Sequence, residues 1–510
     1  MELQVLCGNS REEIQFEKGQ CLADILEDNG IELTMSCGGA GICGMCGVRI
    51  IEGNLPVTDA DKRRFGEKEL AEGFRLACRA YPDSDLTIRV EEDPEADILL
   101  AEDGETGTAD AAGAQSGLSI EALKEMLRRD RGIFGVAIDI GTTTIAFSLV
   151  NIKNSTIMYQ KGLPNSQRRY GSDVISRVRA SMDGQADALR RAIQEDLLHG
   201  LDAILLGDRA GGAERIRPDH IVIACNTAMR HLLLGESCEG LAAYPFDAGE
   251  NGLVLTDGFR LLDDFGYIDI PVTILPGLTP FVGGDIVSGM LASGFCTDQK
   301  KKLLLDLGTN GEMALYDGKK LYVTSTAAGP AFEGGSLSCG SEAVGVLADL
   351  LNRGLMDETG LLAAPFFEKG YPVIDKLSGK NVLLTQADVR QLQLAIAAMR
   401  AGTALLLKAA GLTADDLSTV ILAGGMGFHL DARKAMRVGL LPPIDPMKIL
   451  AGGNTSLKGA IRYLRTCEEE IELPPCEEIV LANEPDFNEL YVNYMTFPDA
   501  PEEEEENTDF

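Results

Sequence analysis

The sequence predicts a multidomain chain of α+β and α/β type: a small strand-rich unit tethered to a large α/β region built from two similar halves. Three observations predict it. Residues 1–90 alternate in short strand-like runs around a Gly/Cys-rich loop. Residues 91–115 carry nine acidic side chains and no basic one, a composition that keeps a chain extended by self-repulsion. From Gly132 onward strand and helix patterns alternate, and one strand–turn motif occurs twice. The 510 residues leave room for two or three such units.

In the first unit, Leu3–Leu6, Glu13–Phe16, Val48–Ile51 and Leu86–Val90 read as strands, and Cys21–Asn29 as a helix that breaks at Gly30. The boundaries expected are residues 1–90 for this unit, 91–131 for an acidic linker with a short helix near Ile120–Arg129, 132–500 for the α/β region, and 501–510 for a tail with five consecutive glutamates. The net charge of −33 excludes nucleic acid and anionic membrane surfaces as partners. No apolar run is read as reaching the ~18 residues that span a bilayer, and Met1–Gln4 lacks a signal peptide's cationic flank. Of the 12 cysteines, eight are scattered and read as reduced core residues; a cytoplasmic protein is expected.

The other four cysteines form a pattern: Cys37-x5-Cys43-x2-Cys46, then Cys78 after a long gap. Three thiolates on one loop and a fourth from a distant segment can wrap a small iron–sulfur cluster, and Gly38, Gly39, Gly41 and Gly44 let backbone N–H groups approach its sulfurs. Structural zinc is the alternative, but its ligands come more often as two Cys-x2-Cys knuckles, and only one close pair exists here. The segments CGGAGICGMCGVRIIEG and RLACRAYP resemble ferredoxins of the adrenodoxin and bacterial kind. That resemblance implies a β-grasp fold holding a 2Fe–2S cluster on Cys37, Cys43, Cys46 and Cys78.

In the α/β region Gly135–Ile145 reads GVAIDIGTTTI and Leu303–Met313 reads LLLDLGTNGEM. Each is a buried strand ending in Asp, an aliphatic residue, Gly and Thr. Gly141 and Gly308 allow tight turns whose N–H groups can face phosphate; Thr142, Thr143 and Thr309 add hydroxyl donors, with Asn310 beside them. Asp139 and Asp306, at strand ends, can hold Mg²⁺ directly or through its waters. Gly424, Gly425 and Gly427 of ILAGGMG (Ile421–Gly427) leave room for a flat adenosine. Thr326–Gly335, with Gly329, could cover the γ-phosphate; Asn226, Thr227 and Asp285 could face the cleft; His231 and His429 read as surface or core histidines. These parts, in this order, resemble the superfamily of actin, sugar kinases and heat-shock ATPases. That resemblance implies a two-subdomain RNase H-like fold binding ATP and Mg²⁺, a connecting helix near Gly284–Phe295, a second long helix at Gln386–Ala410, and Asp139, Asp306 and Glu312 as catalytic carboxylates.

The combination of the two modules resembles the ATP-dependent reductive activators of corrinoid proteins. It implies delivery of one electron from the 2Fe–2S cluster to convert inactive Co(II) to Co(I) in a methyl-transfer system. The implied partners are a corrinoid protein and an upstream electron donor, a ferredoxin or flavoprotein. Alternative readings are an activator of another low-potential metalloenzyme and a redox-regulated small-molecule kinase. The tether runs almost directly into the first phosphate strand, so the family's separate middle domain is expected to be short or missing, and its dimerisation is not expected to carry over.

Overall fold

Alternating apolar side chains set the register of the N-terminal sheet. In the computed structural model β1 (Glu2–Cys7), β2 (Ser10–Gln15), β3 (Gly47–Glu52), β4 (Phe74–Leu76) and β5 (Leu86–Val90) form one mixed sheet, ordered β2-β1-β5-β3-β4. Leu3, Val5, Val48, Leu76 and Ile88 point to one face and bury against Leu22, Ile25 and Leu26 of α1 (Leu22–Asp28). A helix lying across a sheet whose outer strands flank a parallel β1–β5 pair is the β-grasp arrangement expected. β4 falls at the start of RLACRAYP, where the resemblance to ferredoxins implies the strand of the fourth cysteine; three residues give too little alternation to read alone. The structure describes residues 1–7, 10–29, 31, 33, 46–65, 67–90, 133–154, 156–205, 216–267, 269–332, 337, 340–375, 379–424, 430–466 and 471–499. The expected linker, the helix near Ile120–Arg129, Cys37, Cys43, Gly425, Gly427, His429 and the acidic tail lie outside them.

The repeated sequence motif corresponds to a repeated sheet. The first half carries β6 (Phe134–Ile140), β7 (Thr144–Asn151), β8 (Thr156–Pro164), β9 (His220–Cys225), β10 (Val254–Asp257) and β11 (Pro271–Ile274), ordered β10-β11-β9-β6-β7-β8. The second carries β12 (Lys302–Leu307), β13 (Asn310–Tyr316) and β14 (Leu321–Ala327). A separate hairpin of β15 (Tyr371–Ile374) and β16 (Asn381–Leu384) follows, and then β17 (Thr419–Ala423), β18 (Ile449–Gly453) and β19 (Cys476–Glu478). Its main sheet is ordered β18-β17-β12-β13-β14-β19. In both halves a three-strand antiparallel meander lies beside two further strands parallel to its first strand. The two aspartates occupy equivalent places: Asp139 pairs with Ala146 and Ala224, Asp306 with Glu312 and Ala423. β6 and β7 are covered on both faces, which is why they read as continuous apolar runs.

Helices fill the layers. α2 (Val174–Ala180), α3 (Ala186–Ile204) and α4 (Thr227–Leu234) cover one face of the first sheet. α5 (Gly284–Ser293) follows the first half in sequence, yet Ile286 and Met290 pack on Leu304, Ala314, Val323 and Ile421 of the second sheet. Conversely α7 (Thr455–Thr466), which follows the second half, packs Leu457, Ala460, Ile461 and Leu464 on Ala137, Ala146, Val222 and Ala224 of the first. The two helices cross at small residues. A Cβ on Gly289 would sit 2.8 Å from Thr455 Oγ1, and one on Gly459 would overlap the Ser288 carbonyl oxygen. The predicted long helix is α6 (Gln386–Ala410), opened by a capping box of Thr385 and Asp388 and closed by Gly411 at φ 65°. On average composition α6 is long and apolar enough to cross a membrane, although Arg390, Arg400 and Lys408 interrupt its apolar run. Its apolar residues Val389, Leu392, Ile396, Met399, Leu405 and Leu406 lie in the core of the second half.

Candidate nucleotide cleft and cluster site

Four carboxylates meet where the C-terminal ends of β6 and β12 face each other: Asp139, Asp285, Asp306 and Glu312. All four are half-buried, and burial raises each one's pKa. For Asp306 burial, then the charges of Asp285 and Asp139, push it up to about 7. Asp285, first residue but one of α5, is pushed up to about 7 by burial and by Asp139, against a bond from the Ile286 N–H. Glu312 lies well above the usual carboxylate range through burial, Asp285 and Asp306, while Asn310 hydrogen-bonds it and opposes the rise. Asp139 is raised by burial and pulled back by bonds from Ser456 and Asn454. Such a nest of acid groups is unstable alone and asks for a cation or a proton. Among the described residues no three His, Cys, Asp or Glu side chains could hold a metal ion by themselves.

The first phosphate turn, residues 141–143, is held from three sides. Asn165 Nδ2 donates to Gly141 O at 2.8 Å and Asn165 N to Thr143 O at 2.8 Å. The guanidinium of Arg177, fully buried on α2, donates to Thr142 O at 2.5 Å and to Gly171 O at 2.9 Å. Asn226, the N-cap of α4, donates to Thr142 Oγ1 at 3.2 Å. Gly141 is needed for close approach, because a Cβ there would lie 2.7 Å from Thr144 O; neither Gly141 nor Gly308 has positive φ. At Gly308 the nearest atom to such a Cβ is 3.5 Å away, so the tight-turn argument does not apply there. Gly424 meets both demands: φ is +82°, and a Cβ would sit 2.7 Å from Asp306 Oδ1. Gly329 has φ +70° and opens a 3-10 turn, Gly329–Phe332, after β14.

The structure thus brings Asp139, Gly141, Thr142, Thr143, Asp306, Gly308, Thr309, Asn310 and Glu312 onto two opposed turns, with Gly424 against Asp306. Asn226 and Asp285 join them; Thr227 instead donates to Thr279 O at 2.9 Å. His231 is a core residue bonded to the carbonyls of Ser237 and Ala248. Sequence reading missed Asn165, Arg177, Asn454 and Ser456. Asn-Thr-Ser ahead of an amphipathic helix signals a cap, the one local clue to the last two.

At the N-terminal site, Cys46 and Cys78 are buried with sulfurs 3.3 Å apart, far beyond the ~2.05 Å of a disulfide. The Ala77 N–H donates to Cys46 O at 2.9 Å, pinning the two segments together. Two thiols converging this closely from separate segments fit a shared iron. Cys21 donates to Ala77 O at 3.5 Å, and burial raises its pKa, as expected of an inert core thiol.

A 2Fe–2S domain joined to a cleft of paired phosphate turns defines an iron–sulfur ATPase of the actin and sugar-kinase superfamily. The comparisons narrow it. A model of the 2Fe–2S iron–sulfur cluster binding domain matches residues 6–83, one of the RACo middle region residues 134–298, and one of the C-terminal, ASKHA domain of RACo residues 300–352 and 339–508. The chain belongs to the RACo family. The middle region, expected to be short or missing, is therefore present as the first half of the α/β region. The corrinoid activation enzyme RamQ of Eubacterium limosum is 29% identical over 436 residues, 73% of this chain and 71% of RamQ. The [Co(II) methylated amine-specific corrinoid protein] reductase of Methanosarcina barkeri is 27% identical over 44% of this chain and 51% of its own length. A solved reductive activator for corrinoid, iron-sulfur protein superposes with a TM-score of 0.63 at 25% identity, covering 98% of both chains.

Proposed function

We propose that this protein is an ATP-dependent reductive activator of a corrinoid protein, returning Co(II) to Co(I) one electron at a time. One observation carries the reading: a converging cysteine pair of a 2Fe–2S domain and a four-carboxylate nucleotide cleft occur on one chain of the RACo family. When bound, the cluster supplies the single electron; Cys37, Cys43, Cys46 and Cys78 would hold it. We assign residues 1–90 to this module, 91–131 to the linker, and 132–500 to the ATPase. The upstream donor is a ferredoxin or flavoprotein.

In the ATPase the Gly141–Thr143 and Gly308–Asn310 turns bind the phosphates through backbone N–H groups and hydroxyls. Asp139 and Asp306 would hold Mg²⁺ with phosphate oxygens, and the ion would neutralise phosphate charge. Asp285, pushed up to about 7, is matched to taking a proton from the attacking water near neutral pH. Glu312 supports Asp306 across the β12–β13 pair. Gly329 and Gly424 flank the γ-phosphate and adenosine ends. Because α5 and α7 each cross to the opposite sheet, closing the cleft on nucleotide shifts one half against the other. That motion couples ATP to the partner. The test is to mix the dithionite-reduced protein with a Co(II) corrinoid protein and follow the cobalamin spectrum with and without MgATP. ATP-dependent appearance of Co(I) is expected. Equal reduction without ATP, or phosphorylation of a small molecule with no cobalt change, would overturn it.

A further inference from the structure

The contact that stands furthest apart in sequence falls on the first catalytic carboxylate. Asn454 Nδ2 donates to Asp139 Oδ2 at 3.0 Å, and Ser456 Oγ donates to Asp139 Oδ1 at 2.6 Å, across 315 and 317 residues. We propose that Asn454 and Ser456 are positioning residues that fix the Asp139 carboxylate for nucleotide and cation; the proposal rests on the cleft being an ATP site.

The geometry leaves the pair little alternative. Asn454 and Ser456 are both buried, at 5% and 6% exposure. The Asn454 amide cannot be turned round, because its Oδ1 accepts from Leu457 N at 2.8 Å. That leaves the NH₂ group facing Asp139. Ser456 is held at its other end, where its carbonyl accepts from Ser288 Oγ of α5 at 2.5 Å. Each Asp139 oxygen therefore takes one fixed donor. An ionised carboxylate offers about four lone-pair sites, so two donors do not exhaust its capacity for a cation. The 2.6 Å bond is in the short range of an O–H donor on a charged acceptor. Asp285 and Asp306 repel the same carboxylate; without the two donors it would turn away from them. Asp139 belongs to the first half and Ser456 follows the second, so the cation-binding group of one half is set by a segment of the other.

The test uses the full-length protein and three variants: Ser456→Ala, Ser456→Thr and Ser288→Ala. Steady-state MgATP hydrolysis gives kcat and KM. Binding of a non-hydrolysable ATP analogue is measured with EDTA and across a Mg²⁺ titration, and each variant's Tm is recorded. Removing one charge-assisted bond should lower kcat of Ser456→Ala about ten- to a hundredfold. Its analogue affinity in EDTA should stay within about twofold, while the Mg²⁺ concentration that tightens binding rises about tenfold. Ser456→Thr keeps the hydroxyl and should recover most of the rate. Ser288→Ala breaks the bond that holds the Ser456 carbonyl at the helix crossing but keeps the hydroxyl on Asp139, so its kcat should fall no more than about threefold, far less than that of Ser456→Ala. Parent-like kcat and Mg²⁺ dependence in Ser456→Ala would overturn the proposal. So would an equal loss in Ser288→Ala, which would assign the effect to helix packing. A parent that binds no ATP analogue at all would instead overturn the reading of the cleft.

Discussion

Replacing Asp306 by Asn should stabilise the nucleotide-free protein while abolishing ATP turnover. The side chain keeps its shape, so the change is one of charge. Asp306 ionises at about 7 in the fold against 3.8 ordinarily, through burial and the fields of Asp285 and Asp139. Keeping it charged at pH 8 therefore costs the fold at most about 4 kcal/mol. The carboxyl is only half-buried, so a realistic gain on neutralising it is about 1–2 kcal/mol. For an ATPase region of about 370 residues that is a rise in Tm of roughly 1–3 °C. The sign follows from the direction of the shift. A folded-state pKa raised above the unfolded one gives stability that is complete below about pH 4 and lost as pH rises through about 7. The advantage of Asp306→Asn should therefore be only a fraction of its full size at pH 4.5 and complete at pH 8. Circular dichroism melts in EDTA at the two pH values measure it. A lower Tm at pH 8, or the same increment at both, would refute the reasoning.

Further outcomes follow from other contacts. Cys78→Ser should lose or perturb the 2Fe–2S spectrum while Cys225→Ser leaves it intact, since Cys225 is buried beside Asp285 with its pKa raised, away from Cys46; visible absorption decides. Gly424→Ala forces a side chain into a +82° backbone and against Asp306, so a Tm loss worth about 1–2 kcal/mol and weaker ATP binding are expected. Arg177→Met removes the donors to Thr142 O and Gly171 O and should weaken ATP affinity at least about tenfold, measured by calorimetry. Deleting residues 1–115 should abolish electron transfer and leave ATP binding, which a binding titration on the truncated protein checks.

What could be read of the candidate site in the sequence rests on local signals, and of the four cluster cysteines only Cys46 and Cys78 lie among the described residues. The spacing Cys37, Cys43, Cys46 needs only a short loop, and the doubled Asp-x-Gly-Thr needs only a strand and its turn. The caps of α6, Thr385 with Asp388 and Gly411, are written within the helix's own sequence. Asn454, Ser456 and Arg177 were not legible, because their roles arise from packing. Arg177 looks like any helical arginine until α2 turns it inward onto Thr142 O, and Ser456 meets Asp139 only after α7 has crossed to the other sheet. The same distinction explains the glycines. A glycine in sequence announces conformational freedom, yet Gly141 answers to a neighbouring carbonyl, and Gly308 to no close atom in the protein itself.

The two halves share a plan, and the supports of the first turn bear on how nucleotide acts. The first turn is bonded by Asn165, Arg177 and Asn226, from the segment after β8, α2 and the cap of α4. It is preset before any phosphate arrives, so little ordering entropy is lost on binding there. At the second turn the Gly308 N–H donates to Asn310 O and Asn310 hydrogen-bonds Glu312. Its neighbours are the charges of Asp285 and Asp306, which a cation and phosphate would rebalance. Nucleotide should therefore dock on the first turn and reshape the electrostatics of the second. Because α5 packs on the second sheet while carrying Asp285 into the cleft, that rebalancing acts on the helix that joins the halves. Electrostatic change at the phosphate end is thereby applied at the crossing of α5 and α7, where Ser288 meets Ser456.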